Sequence, residues 1–119
     1  MKYDYIYDSA VQVYEEKLEF DCETKPSVTV LFSKEGVILQ ADNNGNSVFF
    51  DSEGKELFKA RAEYEEKSRF SWIYFYSGKN VITVNFTVTK LVDNYPHCDG
   101  EYDRWDEIVV KKIPITYTV

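Results

Sequence analysis

Residues 28–54 read VTVLFSKEGVILQADNNGNSVFFDSEG. Three short runs rich in β-branched and aromatic residues, Val28–Phe32, Val37–Leu39 and Val48–Phe50, alternate with turn-forming clusters. Ser33-Lys-Glu-Gly36 is an even-length loop, and Asn44-Gly45 is the strongest short hairpin signal in the chain. Asp51-Ser-Glu-Gly54 ends in a glycine suited to a left-handed position. Side chains alternate along a strand, so an even loop keeps matching residues on one face across a hairpin. Pairing across Ser33–Gly36 sets Val28, Val30 and Phe32 with Val37 and Leu39. Pairing across Asn44-Gly45 sets Ala41 opposite Val48 and Leu39 opposite Phe50, and a three-residue loop at Ser52–Gly54 sets Val48 opposite Phe58. One face then collects Val28, Val30, Phe32, Val37, Leu39, Ala41, Val48, Phe50 and Phe58. The expected fold is mainly β: an antiparallel meander forming a sandwich or half-barrel, one domain over residues 1–119.

Outward from this stretch the pattern continues. Phe58, Ala60, Ala62 and Tyr64 alternate with Lys59, Arg61, Glu63 and Glu65, which predicts a strand within 55–67 despite its helix-forming composition. Phe70–Tyr76 and Val81–Val92 predict a second hairpin across Ser77-Gly-Lys-Asn80, with Phe75 opposite Ile82 and Ile73 opposite Val84. Its other face carries Phe70, Trp72, Tyr74 and Tyr76 beside Thr87, Asn85, Thr83 and Val81, an aromatic strip next to small polar residues. Glu107–Lys112 and Ile113–Val119 read as strands, and Pro114 marks an edge or a bulge. In 9–20, Ser9 with Gln12 matches a capping box, and Val11, Tyr14 and Leu18 have helical spacing, so a short N-terminal helix is expected there. Val11 and Val13 alone would equally begin a strand.

The chain has 119 residues and a formal net charge of -7. An acidic balance disfavours sequence-independent nucleic-acid binding, which needs cations to neutralise phosphates. The charge is concentrated at two places. Residues 1–25 hold Asp4, Asp8, Glu15, Glu16, Glu19, Asp21 and Glu23 against Lys2, Lys17 and Lys25. Residues 93–107 hold Asp93, Asp99, Glu101, Asp103, Asp106 and Glu107 against Arg104. The same two segments carry Tyr3, Tyr5, Tyr7, Tyr14, Tyr95, Tyr102 and Trp105. Carboxylates steer a basic partner, and aromatic rings supply rigid contact area. Tyr3, Tyr5, Tyr7, Asp99, Tyr102, Asp103 and Trp105 are therefore the expected partner-binding residues.

The expected function is non-enzymatic: a small acidic protein that inhibits or neutralises a basic protein partner, as an immunity protein or a phage-type inhibitor of a nucleic-acid enzyme would. The alternative is a carbohydrate- or small-ligand-binding β module using Phe70, Trp72, Tyr74 and Tyr76. The bland reading of the strip is the inner face of a sandwich, and that of the acidic segments is solubility. No cofactor and no metal is expected. The single histidine, His97, adjoins Cys98, and neighbouring side chains diverge, which disfavours a Cys-His couple. Cys22, His97, Cys98 and Asp99 are zinc-type ligands without zinc-type spacing. The N-terminus lacks a secretory pattern and no run suits a membrane span, so a cytoplasmic protein with free thiols is expected. Asn85-Phe86-Thr87 matches the glycosylation sequon but falls inside a predicted strand.

Overall fold

A computed structural model describes residues 3–8, 15–20, 25–64, 69–93 and 105–119, with the backbone alone for 91–93 and 105–107. In chain order the strands are β1 (Tyr5–Tyr7), β2 (Glu16–Glu19), β3 (Ser27–Phe32), β4 (Val37–Asp42), β5 (Asn46–Phe50), β6 (Glu56–Arg61), β7 (Trp72–Gly78), β8 (Val81–Asp93) and β9 (Trp105–Thr118). They form two sheets, ordered β1-β3-β4-β5-β6 and β2-β7-β8-β9. The fold is a β-sandwich. Neither sheet closes into a barrel, and no described residue is helical.

The β3–β4 hairpin has the predicted register, with Val28, Val30 and Phe32 opposite Ala41, Leu39 and Val37. All six are buried. The β4–β5 hairpin differs by one residue: Leu39 pairs with Phe49, Ala41 with Ser47, and Ile38 with Phe50. The loop is three residues, Asn43–Gly45, not two. Its geometry is set by Asp42, whose carboxylate accepts hydrogen bonds from the backbone N–H of Asn44 (2.9 Å) and Asn46 (3.0 Å) and from the Asn46 amide (2.9 Å). Gly45 closes the turn at φ 92°, the left-handed position of a three-residue hairpin. A slip of one residue exchanges faces. Phe49 and Ser47 are therefore fully buried, while Val48 and Phe50 lie on the outer face, half-buried.

The Ser52–Gly54 loop has the predicted three residues, with Gly54 at φ 87°. A bulge at Leu57 then moves Phe58 opposite Phe49 instead of Val48. The β6 strand ends at Arg61, because the N–H of Ala62 turns to the carbonyl of Gly45 at 2.8 Å. The β7–β8 hairpin is tighter than predicted, a two-residue turn at Lys79-Asn80 with Gly78 opposite Val81. Asn80, at φ 63°, absorbs the left-handed conformation that Asn tolerates better than most residues. The shift is two residues, so the faces hold: Ile73 pairs with Phe86 and Phe75 with Val84, and all are buried.

The helix expected within 9–20 gives way to strand over its second half. Glu16–Glu19 pairs with β7, Leu18 opposite Ile73 and Lys17 opposite Tyr74; residues 9–14 lie outside the described ones. Pairing with an available sheet edge outweighs helical spacing here. The two C-terminal runs are one strand, β9, at the edge of its sheet as Pro114 requires, with its register shift at Val110. The sheets meet through Tyr7, Phe32 and Phe75, whose rings pack edge-to-face with centroids 5.5–5.8 Å apart. At the β6–β9 side, Tyr117 stacks against Phe49 and Phe58 at 5.1 and 5.9 Å.

Candidate functional site

The tyrosines expected at an acidic interface are divided by the fold. β1 runs parallel to β3, with Tyr5 beside Val30 and Tyr7 beside Phe32. Strand alternation turns Tyr5 and Tyr7 inward and Ile6 outward. Tyr7 is 1% exposed, inside the aromatic trio that joins the sheets, so its ring does not reach a partner. Tyr5 packs edge-to-face on Phe75 at 5.3 Å and donates its hydroxyl to Glu16 at 2.5 Å, tying β1 to β2. Tyr3 is half-buried. Asp99, Tyr102 and Asp103 lie outside the described residues, as do Cys22, His97 and Cys98, and Trp105 is described by its backbone in β9.

The aromatic strip is likewise split. Phe70 precedes β7 and belongs to the core, 5.3 Å from the Phe86 ring. Trp72, Tyr74 and Tyr76 occupy the outer face of their sheet, opposite Thr87, Asn85 and Thr83. Trp72 is largely covered, and Tyr74 and Tyr76 are half-buried. Both leading rings carry a cation of the chain itself. Lys17 Nζ lies 3.9 Å from the Trp72 ring centre and Lys112 Nζ 4.1 Å from that of Tyr74. Carboxylates hold these cations: Glu19 lies 3.0 Å from Lys17, and Glu15 lies 4.0 Å from Lys112 and 3.4 Å from the Asn85 amide. This face reads as a satisfied lattice of rings and charges. Trp72 Nε1 and Thr87 Oγ1, on register-paired residues, are its buried polar atoms without a hydrogen-bond partner among the described residues.

The opposite outer face has a feature absent from the sequence reading. Ile6, Leu31, Ile38 and Phe50 lie in one row across four strands, Ile6 beside Leu31, Leu31 opposite Ile38, and Ile38 opposite Phe50. Leu57, extruded by the β6 bulge, extends the row. Ile6 is 56% exposed and Leu57 39%. Asp4 and Asp8 flank Ile6 on β1 at one end of the row, and Lys59 and Arg61 lie on β6 at the other. Asp4 Oδ2 accepts from the Thr29 N–H at 2.9 Å, and Asp8 accepts from the Ser33 hydroxyl, so both carboxylates are fixed beside the apolar row. The sequence carried the signal: with a three-residue loop at Asn43–Gly45, Phe50 and Ile38 share a face.

Among the described residues no group of three or more His, Cys, Asp or Glu side chains is placed to hold a metal ion. Among them, too, no helix is long and apolar enough to cross a membrane. Comparison of the chain with protein-family models, with curated proteins and with solved structures found no match.

Proposed function

We propose that this chain is a small acidic, non-enzymatic binding protein that inhibits or neutralises a basic protein partner, in the manner of an immunity protein or a phage-type inhibitor of a nucleic-acid enzyme. The observation that supports this reading is the row Ile6–Leu31–Ile38–Phe50 with Asp4 and Asp8 fixed at its β1 end. Exposed apolar side chains in a contiguous row provide an anchor, and adjacent carboxylates steer a partner's cations. The net charge of -7 adds long-range attraction for a basic surface. A carbohydrate- or small-ligand-binding module on the other outer face is less favoured, because the rings of Trp72 and Tyr74 already hold Lys17 and Lys112.

The test is affinity capture from the native host at low and high salt, with the wild-type chain beside Ile6→Lys. Ile6 is exposed, so its replacement leaves the fold intact, which circular dichroism checks. The expected result is a basic protein captured by the wild type, released by salt, and bound at least about tenfold more weakly by Ile6→Lys. Capture indifferent to both salt and the substitution overturns the reading.

A further inference from the structure

Strand β9 is the free edge of its sheet among the described residues, and it divides into two halves. Its C-terminal half is covered near Tyr117 by Phe49 and Phe58. Its N-terminal half runs past the end of β7. The last β7–β8 pair is Trp72 with Thr87, whereas β8 and β9 continue together to Asp93 and Trp105. Beyond Thr87 the sheet is thus a two-stranded ribbon among the described residues. Two-stranded ribbons are marginally stable in water, and this one exposes Ile108, Val109 and Val110 in succession, at 47, 46 and 47%. Such an edge is a template for another strand.

The sequence of that edge specifies which strand. Asp106-Glu107-Ile108-Val109-Val110-Lys111-Lys112 has two acids, three apolar β-branched residues and two bases, in that order. Read backwards, each charge meets its opposite. Antiparallel pairing of two copies about a twofold axis at Val109 sets Glu107 of one copy opposite Lys111 of the other, and Asp106 opposite Lys112, each twice by symmetry. Opposite-charge cross-strand pairs stabilise a ladder and like charges weaken it. Parallel pairing would set acid on acid and base on base. Pro114, which cannot donate to a ladder, lies outside the segment.

We propose that this protein forms an isologous dimer through the β9 edge, with residues 106–112 of two copies paired antiparallel about Val109 to join two four-stranded sheets into one. A self-complementary patch is what a twofold interface requires. The occupant is a second copy because the charge order complements itself.

The experiment is sedimentation of four samples over a dilution series: wild type, Lys111→Glu, Glu107→Lys, and an equimolar mixture of the two variants. Lys112 is left in place because it also covers Tyr74. The wild type is expected to dimerise with concentration, less so at high salt. Each variant alone replaces two attractive pairs by two repulsive ones and should associate at least about tenfold more weakly. The mixture restores both attractive pairs in a heterodimer and should return to wild-type association. The mixture also separates loss of pairing from loss of folding, since a misfolded variant is not rescued by its complement. A wild type that stays monomeric at the highest concentration overturns the proposal; the Val110 bulge and the lysines then act only to keep the edge from pairing. Variants that associate as tightly as wild type, or a mixture no tighter than either variant, overturn it as well.

Discussion

The β3–β4 and β4–β5 turns lie at opposite ends of β4 and look alike in composition, yet they do different work. Ser33–Gly36 is a four-residue loop on the surface. Its glycine, at φ 67°, has open space where a side chain would be. Asn43–Gly45 is built into the protein. Asn43 is buried, its N–H reaches the Pro26 carbonyl and its carbonyl takes the Phe70 N–H, both at 2.9 Å, while Gly45 takes the Ala62 N–H. A Cβ on Gly45 would lie 2.3 Å from the Ala62 carbonyl oxygen and 2.8 Å from the Phe70 ring. The first turn only reverses the chain. The second reverses it, sets the register of β5, and docks the segments that lead from one sheet to the other. Loop length alone suffices to read the first, and the second needs its tertiary partners.

The sharpest break of this comparison is at the two phenylalanines whose faces the second turn decides. Phe49 is 0% exposed and stacks on Tyr117, whereas Phe50 sits half-buried on the outer row. Phe49→Ala should cost about 3–5 kcal/mol in urea unfolding, the range for truncating a core aromatic. Phe50→Ala should cost clearly less, because its site opens to water and leaves no sealed cavity. Equal losses at the two positions would mean that the register is not the one described.

Gly45→Ala comes next. It combines a left-handed backbone with overlap on a backbone oxygen, which cannot move aside as a flexible side chain can. Strain at such a φ costs of order 1–3 kcal/mol and overpacking a similar amount, so a loss of about 3 kcal/mol is expected. Denaturant unfolding measures it, and a loss under about 1 kcal/mol would place Gly45 on a free surface turn instead.

Much of the architecture was legible because period-2 alternation survives local error. The six core residues of β3 and β4, the inward faces of β7 and β8, and the edge position of Pro114 all follow from alternation and turn chemistry. A two-residue error at Lys79-Asn80 did no harm to the faces, and a one-residue error at Asn43–Gly45 exchanged Val48 and Phe50 for Phe49. What decided the second case was the Asp42 carboxylate, a side chain that bonds backbone groups two and four residues on. The N-terminal tyrosines show the same limit from the other side. Tyr3, Tyr5 and Tyr7 alternate with Asp4, Ile6 and Asp8, which is a strand with its aromatics on one face. Composition made that face look like an interface. Only the pairing of β1 with β3 shows that Tyr5 and Tyr7 close the sandwich and that Ile6, between them, is the residue left in water. The β2 strand was hidden for a related reason, since four residues of sheet edge are specified by the neighbour they meet, not by their own spacing.

The smallest expected effect is at the first turn, and it isolates backbone conformation from packing. Gly36 has φ 67° and nothing within 4 Å of an added Cβ. An alanine there pays only for the left-handed backbone, about 1–2 kcal/mol, part of which is returned because alanine restricts the unfolded chain more than glycine does. Gly36→Ala should therefore cost about 1 kcal/mol in the same denaturant series, against the larger loss at Gly45. Gly36→Asn should cost less than Gly36→Ala, because asparagine tolerates the left-handed region. At Gly45 the order should reverse, since asparagine keeps the clash with Ala62 and adds volume beside Phe70. If asparagine were the better replacement at both glycines, packing would play no part at the second turn, and the two turns would differ only in length.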